Sequence, residues 1–465
     1  MIWRSGLLAA ENETIFALAT PPGRSAIQVI RVSGPGAARA LRRMAGGVPP
    51  ERQARLARIT SPDGELLDQG MVMFFKGPRS ATGEDCAEFH LHGSPVLGRI
   101  VMLALETLPR FRLALPGEFT RRAFANGKLD LDQVEAIGDM IDADTTQQHR
   151  QAMSQLDGDL GRQTETWRQD VLILSARLEA LIDFADEALP DGLVAEIRSG
   201  LAGLCDDLDK ALSTARGGIL NRDGISLALI GEPNAGKSTL LNMLAGDDRA
   251  IVSPEAGTTR DLVEVAIDID GVALRLTDTA GIRADAGDIE REGIRRAINR
   301  AATAALVLVL VPADSDDPVA CWQRLADAIR SAVPEDHSVP PQLIPLITKT
   351  DLADGAVLPE WPRICALSGE GREALDRLLK THIADLVPPP EPAMLTRLRH
   401  QQAVQSARDA LERALTAARD NAVATAPELM AEDLRLAATA LGRITGRVDV
   451  EDLLDHIFAS FCIGK

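Results

Sequence analysis

The spacing of apolar positions changes three times along the chain, and each change marks a candidate domain border. Over residues 1–126 the apolar runs are short and β-rich: Glu13–Thr20, Ala26–Ser33, Gly70–Lys76 and Cys86–His92. Pro-Pro-Gly, Ser-Gly-Pro-Gly, Gly-Pro and Gly-Glu-Asp turns separate them, so each reads as a strand. After Pro95, the residues Val96, Ile100, Leu103 and Leu108 fall near one face of a predicted helix. This stretch reads as an α+β domain.

Over 127–222 the period becomes three to four. Val171, Leu174, Leu178 and Leu181, then Ile197, Leu201, Leu204, Leu208 and Leu212, predict amphipathic helices. Asp223–Gly224 opens a third texture, with continuous apolar strands at Ile225–Ile230, Leu274–Thr277, Ala304–Val311 and Gln342–Thr348. Helical patterns separate most of these strands, which predicts an open α/β sheet over 223–386 with both faces covered. The run Pro388-Pro389-Pro390-Glu391-Pro392 then makes a stiff linker. Helical periods return over 387–465, at Leu411, Leu415 and Ala418 and again over Val450–Phe461. Each flanking helical segment alone leaves an apolar stripe uncovered. They are expected to pack as one discontinuous domain with the α/β unit inserted; two independent bundles are the alternative.

The chain has 465 residues, 45% hydrophobic and 25% charged, so its composition is globular and its length fits two to four domains. Its formal net charge of −18 argues against a protein that grips nucleic acid by blanket phosphate neutralisation. Tyr is absent, which disfavours aromatic base-stacking platforms. The five cysteines are scattered, with neither disulfide nor zinc spacing, and suit a reducing compartment. No apolar run is long enough to span a bilayer, and the N-terminus does not read as a secretory signal. A soluble, cytoplasmic protein is expected.

The segment Gly231-Glu232-Pro233-Asn234-Ala235-Gly236-Lys237-Ser238, followed by Thr239, fits G-x-x-x-x-G-K-S/T between a strand and a helix. Backbone N–H groups there cradle phosphates, Lys237 adds a point charge, and Ser238 offers a hydroxyl to Mg²⁺. Thr258-Thr259-Arg260-Asp261 offers a second Mg²⁺ hydroxyl. Asp278-Thr279-Ala280-Gly281 follows a strand, where Asp278 can hold the metal through water and the Gly281 N–H can sense the γ-phosphate. Thr348-Lys349-Thr350-Asp351 ends another. Asp351 accepts from the guanine ring and exocyclic N–H groups, a pattern that adenine lacks. Together these four elements predict a GTP-binding domain. Ile282 stands where many small GTPases carry a water-orienting Gln, so something else must place the attacking water. Asn234 either lends its carbonyl oxygen to a cation beside the phosphates or simply tolerates the loop dihedrals.

The flanking motifs then resemble the tRNA modification GTPases of the MnmE (TrmE) family. They are Thr20-Pro21-Pro22-Gly23-Arg24, Thr82-Gly83-Glu84-Asp85, His90-Leu91-His92-Gly93, Pro116-Gly117-Glu118-Phe119-Thr120, Lys128-Leu129-Asp130-Leu131 with Glu135-Ala136-Ile137, and the terminal Phe461-Cys462-Ile463-Gly464-Lys465. The resemblance runs from near residue 14 to the end. It implies a multidomain protein: an α+β N-terminal folate-binding domain that dimerises, a discontinuous α-helical domain and an inserted α/β Ras-like G domain. It further implies a homodimer working with a flavin- and NADH-using partner, MnmG (GidA). Together they would add an aminomethyl or carboxymethylaminomethyl group to C5 of the wobble uridine of certain tRNAs. The one-carbon unit would come from a tetrahydrofolate derivative, in the 5-formyl or 5,10-methylene form.

By the same resemblance Mg²⁺ takes Ser238 and Thr259, and K⁺ takes Asn234, Ser253, Glu255 through its backbone, and Thr258. The guanine nucleotide is enclosed by Asn234 to Thr239, by Ser253, Pro254, Glu255, Ala256, Gly257, Thr258 and Thr259, by Asp278, Thr279, Ala280 and Gly281, by Thr348, Lys349 and Asp351, and by Cys365, Ala366 and Leu367. Glu290 positions water indirectly; on its residues alone it reads as a solvated helix position. Arg31, Glu88, Lys128 and Lys465 hold the folate, although Arg31 alone reads as a plain surface charge. Cys462 takes part in the modification chemistry, against its plain reading as a small apolar plug. The sequence departs from the family pattern at Thr348, where Asn is usual, and at Cys365, where Ser is usual. The second reading, from another class, is a GTP-regulated ribosome or RNA assembly factor without substrate chemistry. It would have no use for the folate residues or Cys462.

Overall fold

The computed structural model describes residues 13–183, 192–246, 249–251, 264–277, 288–335, 339–352, 359–389, 394–419 and 427–448, with positions 454, 457, 458, 461 and 464. At 264, 277 and 288–294 only the backbone is described. The chain divides into two compact units, Met1–Gly138 with Gly442–Lys465, and Asp139–Leu441.

The first unit is built on a six-stranded sheet. Its strands are β1 (Thr14–Leu18), β2 (Ile27–Ser33), β3 (Arg55–Thr60), β4 (Leu66–Phe75), β5 (Cys86–His92) and β6 (Phe111–Leu113), in the order β3-β4-β5-β2-β1-β6. Only the β1–β6 pair is parallel. Helices α1 (Ala37–Met44) and α2 (Pro95–Glu106) supply Leu41, Met44, Val101 and Leu105 to a core with Phe16, Ile30, Val32 and Phe89 from the strands. Alternation along β2 and β5 sends Ile30, Val32, Phe89 and Leu91 to this core and leaves Arg31, Glu88 and His90 partly exposed.

The helix after Pro95 forms as expected, but a different face is buried. Gly98, Val101, Ala104 and Leu105 face inward, whereas Val96, Ile100 and Leu103 are exposed; only Leu108 is buried as predicted. The sheet demands small residues at the contact, because Gln28 lies under Gly98 where a Cβ would collide with its side-chain amide. Close packing therefore overrides the larger apolar stripe.

Helix α3 (Glu118–Ala125) starts at Gly117, whose φ of 64° and close approach to the Phe458 backbone leave no room for a side chain. The last residues of the chain belong to this unit. Phe461 packs on Gly138, and the Leu131 N–H donates to the Thr445 carbonyl. An ion network braces the region. Arg112 donates to Glu118 at 2.6 and 2.7 Å and to Glu13 at 2.7 Å. Arg122 donates to Glu118 at 3.1 Å and to Glu84 at 2.9 Å.

In the second unit α4 (Leu131–Ile141) runs in from the first, and α5 (Thr146–Leu156) opens with a reciprocal cap between Thr145 and Gln148. Helices α6 (Asp159–Asp183) and α7 (Leu193–Asp223) bury the predicted stripes; Leu212 alone is half-buried. Near the end of α7, Gly217 and Gly218 let the returning chain pass at Pro388 and Leu395. The flanking helical segments meet as expected, α7 against α12 (Leu398–Arg419), where Arg408 pairs with Asp209 at 3.0 Å and Arg198 donates to the Ala418 carbonyl at 3.0 Å. Helix α13 (Pro427–Gly442) follows. Most of the predicted helix Val450–Phe461 lies outside the described residues.

The inserted sheet has seven strands: β7 (Ile225–Gly231), β8 (Ala250–Ile251), β9 (Glu264–Ile269), β10 (Val272–Thr277), β11 (Leu306–Pro312), β12 (Gln342–Thr348) and β13 (Arg363–Ile364). Their order is β13-β12-β11-β7-β10-β9-β8, parallel from β13 to β10, with β9 antiparallel at the edge. Leu227, Leu229, Leu274, Leu308 and Leu346 form a core with α8 (Lys237–Ala245) and α11 (Arg372–Leu386). Ala228, Ile230, Val307 and Val309 pack on the other side with α9 (Asp288–Thr303) and α10 (Pro318–Ala332). Burial on both faces explains why these strands read as continuous apolar runs.

Candidate functional site

Strand β7 delivers the chain to the phosphate loop at its carboxyl end. Gly231 is obligatory there, since a Cβ would lie 2.8 Å from both Ala235 Cβ and the Leu310 carbonyl. Asn234 adopts φ 64° and Gly236 φ 88°, so two left-handed residues turn the loop onto the first turn of α8. The Asn234 side chain is exposed. Lys237 Nζ donates to the Gly231 carbonyl at 2.8 Å and the Glu232 carbonyl at 2.9 Å, so the loop wraps its own cation. Ser238 and Thr239 follow at the helix N-terminus, where free N–H groups and the helix dipole favour an anion.

The base-reading segments meet beside this loop. Thr348 ends β12, is buried, and donates its hydroxyl to the Ala235 carbonyl at 2.8 Å. The departure from Asn thus ties the base motif directly to the phosphate loop. Lys349 adopts φ 55°, and Asp351 begins the turn after it. Cys365 replaces the family Ser as a donor: its thiol gives a hydrogen bond to Asp351 Oδ1 at 3.2 Å. This contact was not anticipated from the sequence. The Leu367 side chain is exposed, and Ala366 packs partly on the core.

Ser253, Pro254, Glu255, Ala256, Gly257, Thr258, Thr259, Asp278, Thr279, Ala280, Gly281, Cys462 and Lys465 lie outside the described residues. Glu290 falls in the first turn of α9, with its backbone alone described.

A second site lies in the first unit. Arg31 and Glu88 are directly opposite across β2 and β5, and their side chains pair at 3.1 Å. His90 Nε2 lies 3.2 Å from the other oxygen of Glu88. The pair lines a cavity of about 450 Å³ with Lys128, which sequence reasoning had grouped with it, and with Arg52, Phe75 and Arg79, which it had not. Gly464, buried at φ 104° against the Leu18 carbonyl, brings the C-terminal tail onto this unit.

A phosphate loop at the end of a parallel strand, tied to an Asp-bearing base motif, defines a P-loop GTPase. Residues 14–128 match the family described as GTP-binding protein TrmE N-terminus, and residues 131–462 match the MnmE helical domain. Proteins called tRNA modification GTPase MnmE are similar over nearly the full length. That of Parvibaculum lavamentivorans is 46% identical, covering 97% of this chain and 100% of its own. That of Granulibacter bethesdensis is 44% identical, covering 98% and 100%. Among solved structures, GDP-bound Era of Aquifex aeolicus is 28% identical over 40% of this chain and 66% of its own, with a TM-score of 0.26. The chain belongs to the MnmE (TrmE) family of tRNA modification GTPases, and is a GTP hydrolase acting in tRNA modification. Among the described residues no helix is long and apolar enough to cross a membrane.

Proposed function

We propose that this GTPase acts in the cytoplasm as a homodimer with a flavin- and NADH-using partner, MnmG (GidA). The pair installs an aminomethyl or carboxymethylaminomethyl group at C5 of the wobble uridine of certain tRNAs. Residues 1–126 form the folate-binding domain, 127–222 and 387–465 the helical domain, and 223–386 the G domain. The observation that carries this reading is the cation-lined cavity holding the Arg31–Glu88 pair. Its residues suit a tetrahydrofolate: a carboxylate for the pterin amino and ring N–H groups, cations for the glutamate carboxylates. That group supplies a one-carbon unit when bound. Glu88 orients the pterin, while Arg31, Lys128 and Lys465 hold the acid end.

In the G domain, Ser238 and Thr259 take Mg²⁺, and Asn234, Ser253, Glu255 and Thr258 take K⁺. Glu290 positions the water that Ile282 cannot. The exposed stripe of Val96, Ile100 and Leu103 on α2 supports pairing of two copies through the first unit. Mass spectrometry of wobble uridines from a strain lacking the protein tests the whole: the C5 modification should vanish. Unchanged nucleosides would overturn the reading.

A further inference from the structure

Two guanidinium groups of the folate cavity have no assigned task. Arg52 enters from the turn before β3 and Arg79 from the β4–β5 connection. Their side chains are 55% and 76% exposed, whereas Arg31 beneath them is 31% exposed, so the two mark the mouth rather than the floor. Both are held. The Arg52 guanidinium lies 5.7 Å from the Phe75 ring centroid and donates to the Arg79 carbonyl. Arg79 in turn reaches Glu51 at 3.3 Å. Arg52 also sits at φ 60°, a left-handed conformation that disfavours a long side chain. Two cations fixed side by side repel each other, and an anion between them relieves that repulsion.

The charge count points the same way. Arg31, Arg52, Arg79 and Lys128 line the cavity, and Glu88 is its lining carboxylate. A folate with a single glutamate carries two carboxylates, which Arg31 and Lys128 answer once Glu88 turns to the pterin. The mouth cations are then left over. The chemistry that fits them is a chain of further carboxylates leaving the cavity in the direction of the acid end. We infer that Arg52 and Arg79 form a subsite for the γ-linked oligoglutamate tail of the folate, so that the protein selects polyglutamylated over monoglutamylated tetrahydrofolate. This rests on the folate reading of the cavity.

Binding of 5-formyltetrahydrofolate in its mono- and pentaglutamate forms to the full-length protein tests the inference, by calorimetry at low and high salt. The pentaglutamate should bind about tenfold tighter at low salt, as two partly exposed ion pairs provide, and the ratio should shrink as salt screens them. In an R52A/R79A double variant the ratio should fall to near one. In R79E, a change at an exposed position that leaves the fold intact, the pentaglutamate should bind more weakly than the monoglutamate. Equal affinities in the wild type, or an unchanged ratio in both variants, would overturn the subsite while leaving the folate reading standing. Binding of neither form would overturn both.

Discussion

Thr348 shows how one hydroxyl can replace a larger amide by changing what it holds. Its hydrogen bond to the Ala235 carbonyl is buried, so Thr348→Val would keep the shape and leave that carbonyl without a donor. The cost should be about 1–3 kcal/mol. Thermal melting should register it, and GDP affinity should fall with it because the phosphate loop and the base motif lose their brace. Thr348→Ser should keep both; a Val variant that binds GDP like wild type would show the brace to be idle. Glu118 is a second residue whose role is set by its neighbours. Burial opposes its charge, but hydrogen bonds from Arg112 and the Leu115 N–H, with Arg122 close by, outweigh burial and hold its carboxyl below the usual range. A folded-state pKa below the unfolded one adds stability that is complete above the unfolded value, about 4.3, and drains away as pH falls through the depressed value. Glu118→Gln should therefore cost about 3 kcal/mol or more at pH 7, since it strips two cations of a buried partner. The gap between variant and wild type in urea melts should narrow on acidification. A gap independent of pH would mean that the carboxylate charge is not what matters.

At the scale of elements, the β9–β10 hairpin ties the G domain to the helices beside it. Its turn is held from two sides: Gln147 of α5 donates to the Asp270 carbonyl at 2.8 Å, and Lys380 of α11 reaches the Asp270 carboxylate at 2.7 Å. Gly271 turns the chain at φ 88°, and a Cβ there would lie 2.9 Å from Gln147 Cγ. Gly271→Ala should destabilise the second unit by about 1–3 kcal/mol, read from the denaturant midpoint. A midpoint that stays put would mean that the turn relaxes freely. This contact was not legible beforehand, because a turn glycine shows its conformation in sequence but not which helix presses on it. Elements buried on both faces were legible: β7, β11 and β12 coincide closely with their apolar runs, as do the stripes of α6 and α7. Edge and short strands were not. β3 carries Arg55 and Arg58 on its exposed side, and β6 is three residues long. The phosphate loop could be read because its backbone needs fixed residue types at fixed spacing. Cys365 on Asp351 and Arg52 in the folate cavity could not, since each contact joins distant segments.

Over the whole molecule, two chemistries at two sites must be separable by mutation if one switches and the other modifies. For the switch, hydrolysis should be faster in K⁺ than in Na⁺, and Asn234→Ala should abolish the difference, because a cation beside the phosphates offsets charge that an arginine finger offsets elsewhere. Equal turnover in both salts would remove the cation from the mechanism. For the modification, the tail is the informative segment. Gly464 lies against the Leu18 carbonyl at the end of β1, and Phe458 and Phe461 pack on Gly117 and Gly138. The chain therefore brings its last residues to the unit that carries the folate cavity, two positions from Cys462. Burial pushes the thiol of Cys205, inside α7, up to about 11, which keeps it protonated and unreactive. A thiol two residues from the terminus of a Gly-Lys tail is under no such helix-core constraint. Cys462→Ser should leave GTP turnover at the wild-type rate and abolish the wobble modification, read as nucleosides from a strain carrying only the variant. Cys462→Ala separates size from chemistry: it fills the same space as a plug, so both variants should fail alike if the thiol reacts. Normal modification in the Ser variant would make Cys462 a structural residue.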